Sequence, residues 1–346
     1  MMKTQHCRVT FLTPAFLGNA EQDGQWRTPP FKHLLREWWR VAWAEANGYC
    51  DDIDAMRAAE GALFGSAADG SGSKSRVRLR LDRWDMGRLN AWEKLASVSH
   101  PEVSRPVDAG LYLGYGPLLH DRQSRRTRLK ANAAIQAGES AELRLAFPEE
   151  ESAALLEQAL ALMDAYGALG GRARNGWGSL ALEGVGGDAR PPLRAWRDCL
   201  DRDWPHAIGR DDRGALIWRT EPFDDWQSLM RRLAELKIGL RTQFRFHSGR
   251  HAHRPEERHW LAYPVTKHNV TPWDKEARRM KLGSRLPNSL RFKARQDERS
   301  KLRGVIFHVP CLPPQQFHPD RNAIERVWRQ VHDFLDGQSD LERSQK

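Results

Sequence analysis

The chain has 346 residues, enough for two domains with sizeable cores. Hydrophobic residues make up 40% and charged residues 29%, which is too apolar for a disordered chain. No run approaches the ~20 consecutive apolar residues that a membrane helix needs, which argues against a membrane partner.

The formal net charge is +10, and it is unevenly placed. Residues 1–190 hold 24 basic and 24 acidic side chains, whereas residues 191–346 hold 31 and 21. The segment 245–303 alone has 16 basic and 6 acidic residues. Such concentration points either to a polyanionic partner, most often nucleic acid, or to a solvated basic surface. Cys7, Cys50, Cys199 and Cys311 lie far apart with no CxxC, so neither a cysteine zinc knuckle nor a disulfide framework is expected. The N-terminus lacks the long apolar stretch and small-residue cleavage site of a signal peptide, and a reducing cytoplasm is the expected location.

In chain order, CRVTFLTPAFLGNA (7–20) reads as a strand that Pro14 ends. A helix follows, with Thr28 as N-cap and Pro29 at its first position; Phe31, Leu34, Leu35, Trp38 and Ala42 form the apolar stripe. Residues 53–64 read as a shorter helix closed by Gly65, and 65–75 as a mobile Gly/Ser-rich stretch. SRVRLRLDRW (75–84) alternates as a strand, with Val77, Leu79 and Leu81 on one face and Arg76, Arg78, Arg80 and Asp82 on the other. Residues 85–138 read as an insertion with a Gly-rich turn at 111–119 and a basic loop at 122–130. AELRLAF (141–147) is a strand, 148–170 a helix opened by Pro148, and 179–184 a short strand. Strand, helix, strand, strand, helix, strand is the order of a ferredoxin-like unit, a four-stranded antiparallel sheet with helices on one face. This α+β unit is placed at 1–187, with GGDARPP (186–192) as linker.

A second, decorated ferredoxin-like unit is expected over 188–346. Its elements are a strand at 215–220, a helix at 223–240, a hairpin of 289–296 with 302–310, and an amphipathic helix at 321–335. Residues 241–285 are basic, His-rich and without periodicity, and QSDLERSQK ends the chain as a frayed tail.

Several features are candidates for recognition. GGRARNGWGS (170–179) combines backbone freedom at Gly170, Gly171 and Gly176 with Arg172, Arg174 and Asn175. Exposed amides there can cradle phosphate; the alternative is a tight helix-to-strand connection with Trp177 in the core. The loop is not a P-loop, since it lacks GxxxxGK[ST] and follows a helix rather than opening one. Along the first helix, Lys32, Arg36, Trp39, Arg40 and Trp43 form a second row beside the apolar stripe, offering phosphate pairing with base stacking or, alternatively, core tryptophans with a solvated rim. The arm Arg122, Arg125, Arg126, Arg128 and Lys130 is either an RNA contact or a plain surface loop. The tract 278–303 adds Arg278, Arg279, Lys281, Arg285, Arg291, Lys293 and Arg295, with Phe292 interleaved. His247, His251, His253 and His259 lie in a Gly- and Pro-containing stretch without helical metal-ligand spacing, so no metal site and no cofactor is expected. His33 is the one candidate general base on the first helix and has no evident partner, so no catalytic residue is assigned.

Four segments together resemble the RAMP superfamily of CRISPR effector proteins, and within it the first RAMP module subunit family of type III-B Cmr complexes. They are LTPAFLGNA (12–20), PPFKHLLREWWRVAWAE (29–45), ALFGS with the following strand and LYLGYG (111–116), and GGRARNGWGS. The likeness covers 8–184 and is loose beyond, through SRLPNSLRFK (284–293). The resemblance implies two ferredoxin-like domains, membership of a ribonucleoprotein with other Cmr RAMP subunits, crRNA and target RNA as partners, and no intrinsic catalysis. It implies a position near the crRNA 3′ region, a part in target capture during antiviral defence, and RNA contacts at Lys32, Arg36, Arg40, Arg172, Arg174 and the loop glycines. The runner-up function is a RAMP endoribonuclease that processes precursor crRNA; a third is an assembly protein whose basic surface meets acidic subunits. The first helix and the glycine loop are expected to share one groove.

Overall fold

The structure is a computed structural model and describes residues 1–67, 72–149, 152–185, 189–283 and 285–345. The chain opens with β1 (Met2–Phe11), α1 (Thr28–Ala46), α2 (Ile53–Phe64) and β2 (Arg78–Leu81). An insertion follows, with β3 (Ser97–Val98), β4 (Val107–Asp108), α3 (Ala109–Gly114), β5 (Leu118–His120) and β6 (Thr127–Leu129). The first sheet is completed by β7 (Ser140–Pro148), α4 (Ser152–Tyr166) and β8 (Leu180–Glu183). Its strand order is β2-β7-β1-β8 with every pair antiparallel, so the last strand returns beside the first. Alternation sorts β1 by face: Cys7, Val9 and Phe11 are buried, while His6 and Arg8 are exposed.

In the second half, β9 (Leu193–Ala195), β10 (Ile208–Asp211) and β11 (Gly214–Ala215) form a small three-stranded sheet. Then come β12 (Ile217–Thr220), α5 (Trp226–Thr242), β13 (His251–Ala252), α6 (Glu257–Leu261), β14 (Asn269–Val270) and α7 (Thr271–Met280). The chain ends with β15 (Leu290–Gln296), β16 (Leu302–His308), α8 (Arg321–Asp336) and β17 (Leu341–Arg343). The sheet β15-β16-β12-β17 is antiparallel throughout and repeats the connectivity of the first.

The second sheet is covered on both faces. Trp218, Ile306 and Phe292 share a core with Leu229, Leu233, Val327 and Val331 of α5 and α8. Ile217, Val305 and Phe307 instead join the first unit's core; the Phe307 ring lies 5.1 Å from Tyr166 on α4 and 6.2 Å from Trp38 on α1. That double burial explains the unbroken apolar run of β16, which has no solvent face to alternate toward. The boundary expected at 187/188 falls outside the described residues, and so do parts of the 65–75 stretch and the 186–192 linker.

Several expected elements are corrected. Arg27, not Thr28, is the N-cap of α1; Thr28 is already helical and its hydroxyl is buried without a partner. The first half of the Gly-rich turn at 111–119 belongs to α3, because the Asp108 carboxylate caps that helix by accepting from Gly110 N (2.8 Å) and Leu111 N (3.3 Å). Pro148 closes β7 rather than opening a helix. The supposed frayed tail supplies β17, paired with β12, and the aperiodic 241–285 region holds α6 and α7.

Candidate nucleic-acid interface

The glycine loop lies where the two units meet, and most of its hydrogen bonds close on protein. Gly171 N donates to Phe16 O (2.9 Å) and Gly178 N to Pro14 O (2.8 Å). The Thr13 hydroxyl donates to Gly176 O (2.7 Å) and accepts from Ser179 N (3.0 Å). Ser179 Oγ donates to Gly176 O (2.9 Å) and accepts from Ala294 N of β15 (2.8 Å). Asn175 donates to Leu113 O (2.7 Å) and accepts from the Lys237 ammonium, while Phe292 N donates to Arg174 O (3.1 Å). Trp177 is fully buried, with Phe16, Trp92 and Trp226 around it. Gly178 sits at φ +64, and a Cβ there would stand 1.9 Å from Leu169 O, so no other residue fits.

Of the expected loop contacts, Arg172, Arg174 and Gly170 are exposed and Gly171 is half-buried. Asn175 and Gly176 are buried, which corrects the expectation that they face a ligand; Asn175 instead takes Lys237 of the second unit, and the Gly176 carbonyl is held by Thr13 and Ser179 within the first.

Around Arg172 the structure gathers positive charge. Its Nε donates to Tyr115 O (2.6 Å). Burial, then the nearby Arg285 and Arg241, hold its guanidinium below the ordinary value. Burial, then Arg241 and Arg172, push the Lys237 ammonium down to about 7. Arg172, Arg241 and Arg285 form no ion pair among the described residues; Glu102, which acts on Arg241 electrostatically, is paired with Arg258. Arg291, on β15, turns its guanidinium under the seam, 6.0 Å over the Trp38 ring. Burial, then Arg174, push its pKa down to about 10, which is consistent with a support of the seam rather than an outward contact.

The row on α1 is otherwise engaged. Arg36 Nε and Arg40 Nε each donate to Glu60 Oε1 (3.0 Å), and Arg40 adds a second bond to Oε2 (3.0 Å). Glu60, on α2, is buried, so the two arginines neutralise an otherwise costly charge and clamp α1 to α2. Lys32 Nζ donates to Phe64 O (3.1 Å) and Ser75 Oγ (2.8 Å). Trp39 is 1% exposed and packs edge-on against Phe64, and Trp43 is buried as well. Neither tryptophan is available for stacking, which corrects that expectation. Among the described residues no hydrogen bond, ion pair or ring contact joins this row directly to the glycine loop.

The pattern of the RAMP superfamily matches residues 8–181, half of the chain. The chain belongs to the RAMP superfamily. This RAMP protein shares its fold with a chain of a type III-B Cmr-beta complex bound to cognate target RNA, at 10% identity and a TM-score of 0.50, covering 96% of this chain and 100% of that one. Cmr1 from Pyrococcus furiosus, in its apo form, is similar at 14% identity and a TM-score of 0.45, with 90% of each chain covered. No curated protein matches the sequence significantly.

The remaining predicted contacts of this RAMP protein that have partners among the described residues find them outside the loop. Arg278, Arg279 and Lys281 are exposed at the end of α7, where Arg279 pairs with Glu276 and Arg278 Nε donates to Asp274 O (3.1 Å). The arm 122–126 forms the exposed tip between β5 and β6. His247, His251 and His253 are exposed, whereas His259 is buried; among the described residues no three His, Cys, Asp or Glu side chains are placed to hold a metal ion. His33 is exposed, with only Glu37 at 3.9 Å. No helix of the described residues is long and apolar enough to cross a membrane. Sequence reasoning missed Tyr115, Lys237 and Arg241. Tyr115 was hidden inside an apparent Gly-rich turn, and the two cations by their place at the end of an ordinary amphipathic helix.

Proposed function

We propose that the chain is a non-catalytic RNA-binding subunit of a type III-B CRISPR ribonucleoprotein, built of two ferredoxin-like units. In this reading it works in the cytoplasm beside other RAMP subunits, near the crRNA 3′ region, and helps capture target RNA in antiviral defence. The observation that carries it is the set of cations at the seam, Arg172, Arg174, Arg241 and Arg285, that form no ion pair among the described residues, on a chain of RAMP descent. Guanidinium groups without carboxylate partners suit phosphate, which takes them in forked, charge-assisted hydrogen bonds.

Titrating the purified chain with single-stranded RNA at several salt concentrations tests this. Arg172→Ala with Arg174→Ala is expected to weaken binding at every sequence and to flatten the slope of log affinity against log salt by about 0.7 per lost phosphate contact. An unchanged slope, or specific cleavage of a repeat-containing transcript that a His33→Ala variant abolishes, defeats the reading; the latter outcome would favour the endoribonuclease.

A further inference from the structure

The seam carries one feature that the basic composition does not explain. Tyr115 is 60% exposed, one of few large apolar side chains left in solvent, and it follows directly on α3 in the insertion. Its carbonyl holds Arg172 Nε at 2.6 Å, and Arg172 adopts φ +61, a left-handed conformation uncommon outside glycine. The Arg172 guanidinium also lies within 3.8 Å of the position a Cβ would take on Gly116, so it runs alongside the backbone that carries the tyrosine. From the second unit, Arg241 in the last turn of α5 and Arg285 beyond α7 come close enough to depress the Arg172 guanidinium. Arg241 Nε is buried and donates no hydrogen bond among the described residues.

Three guanidinium groups in one place repel one another, and the nearby carboxylate, Glu102, which acts on Arg241, is already paired with Arg258. An anion would relieve it. An exposed aromatic ring next to an anion site matches one ligand above others, a nucleotide whose base is free of its helix.

We propose that the seam between the two units holds one nucleotide of a single-stranded RNA, its phosphate on Arg172, Arg241 and Arg285 and its base stacked on Tyr115. The proposal rests on the RNA-binding reading and adds the position and chemistry of the contact. It makes the site composite: the insertion supplies the ring, the glycine loop one arginine, and the second unit the other two. Neither half of the chain would hold the nucleotide alone.

The test uses the full chain and a short fluorescent oligouridylate, with a second oligomer that is abasic at every position. Tyr115→Ala is expected to weaken oligouridylate binding roughly 5- to 160-fold, the range measured for one stacked base. Tyr115→Phe should bind like the wild type, and the abasic strand should bind the wild type and Tyr115→Ala equally. Arg285→Ala, an exposed position, should flatten the salt slope by about 0.7, and Arg241→Ala should do the same. Melting temperature monitors folding of each variant. If the wild type binds the oligomer while Tyr115→Ala and Arg285→Ala bind it with unchanged affinity and slope, the site is wrong and the RNA-binding reading stands. If polyglutamate displaces the oligomer as well as unlabelled RNA does, the seam is an acidic-protein surface and the proposal falls. If the wild type binds no RNA at all, both readings fall together.

Discussion

Lys293 shows how a charged residue changes meaning with its surroundings. It lies on β15, has no exposed surface, and its ammonium reaches the carbonyls of Met163 (3.4 Å) and Asp164 in the last turn of α4. A cation at a helix C-terminus satisfies carbonyls that have no partner within the helix and complements the helix dipole. Burial pushes its pKa down to about 7, so the charge is held there at a cost. Arg295, two residues on, faces the same way and stands 3.7 Å from Asp164. The sequence LRFKARQ carries this alternation openly, with Arg291, Lys293 and Arg295 on one face and Phe292 and Ala294 on the other. A charged face on a strand reads as a solvent face, and part of what looked like a basic RNA tract is therefore an internal joint. The reason lies outside the strand, in the helices of the first unit that cover it. Lys293→Ala is expected to lower unfolding free energy by about 2–4 kcal/mol, by removing the donor to the Asp164 carbonyl and leaving a cavity behind. Lys293→Met, which keeps the volume, should cost less, and chemical denaturation of the two variants measures the difference. Glu60 makes the reciprocal case: Arg36→Ala with Arg40→Ala leaves its buried carboxylate unpaired and is expected to cost about 3 kcal/mol, whereas Arg36→Ala alone leaves Glu60 still paired with Arg40 and should cost less.

At the scale of elements, the strands of the first unit were legible because each obeys a simple local rule. β1, β2 and β7 alternate, and α1 shows an apolar stripe at helical spacing. What stayed hidden depends on partners far along the chain. β17 has only three residues and no pattern of its own; it exists because β12 offers an open edge. α3 was masked by its glycines, and the Asp108 cap that starts it also accepts from Thr127 Oγ1 on β6 (2.5 Å). The glycine loop was recognisable as a loop, but its role as the joint rests on contacts with α5 and β15 that no local reading contains. Two glycines separate the causes of its rigidity. Gly178 and Gly48 both have positive φ, +64 and +61, yet a Cβ at Gly48 meets nothing within 4 Å. Gly48→Ala should therefore cost about 1 kcal/mol, the conformational term alone. Gly178→Ala adds a backbone clash with Leu169 and is expected to prevent the loop from closing, seen as a drop in melting temperature several times larger.

At the scale of the whole molecule, the two units share both cores, so the chain is expected to unfold in one transition despite its two sheets. That coupling gives its buried histidines a global consequence. His308 and His332 lie side by side, Nδ1 to Nε2 at 3.0 Å, and Ser289 Oγ is 3.2 Å from the far nitrogen of His308. Trp328 stacks on His308 at 4.0 Å, and Trp196 and Trp218 flank His332. A ring pair sharing one hydrogen bond needs an acceptor nitrogen, so both rings cannot be protonated. Burial pushes His308 down to about 3 and His206 down to about 4; burial, then the neighbouring His308, Arg343 and Arg213, hold His332 well below its usual value. In the unfolded chain all three titrate near 6.5. Between about 6.5 and the folded values the unfolded state binds more protons, so stability falls as the pH drops below 6.5. Each group contributes up to about 1.4 kcal/mol per pH unit, and three together give a slope that rises from about 2 at pH 6.5 to about 4 at pH 5. Carboxylates held low, such as Asp23 and Asp201, lose their contribution only further down, below about pH 4, which leaves pH 5–6.5 to the histidines. Urea unfolding at half-unit intervals from pH 6.5 to 5 should show that slope, and His332→Phe should reduce it by the share of at least one group. A midpoint that stays level across this window would mean that the histidines are reached by water and do not hold the second core in its neutral form.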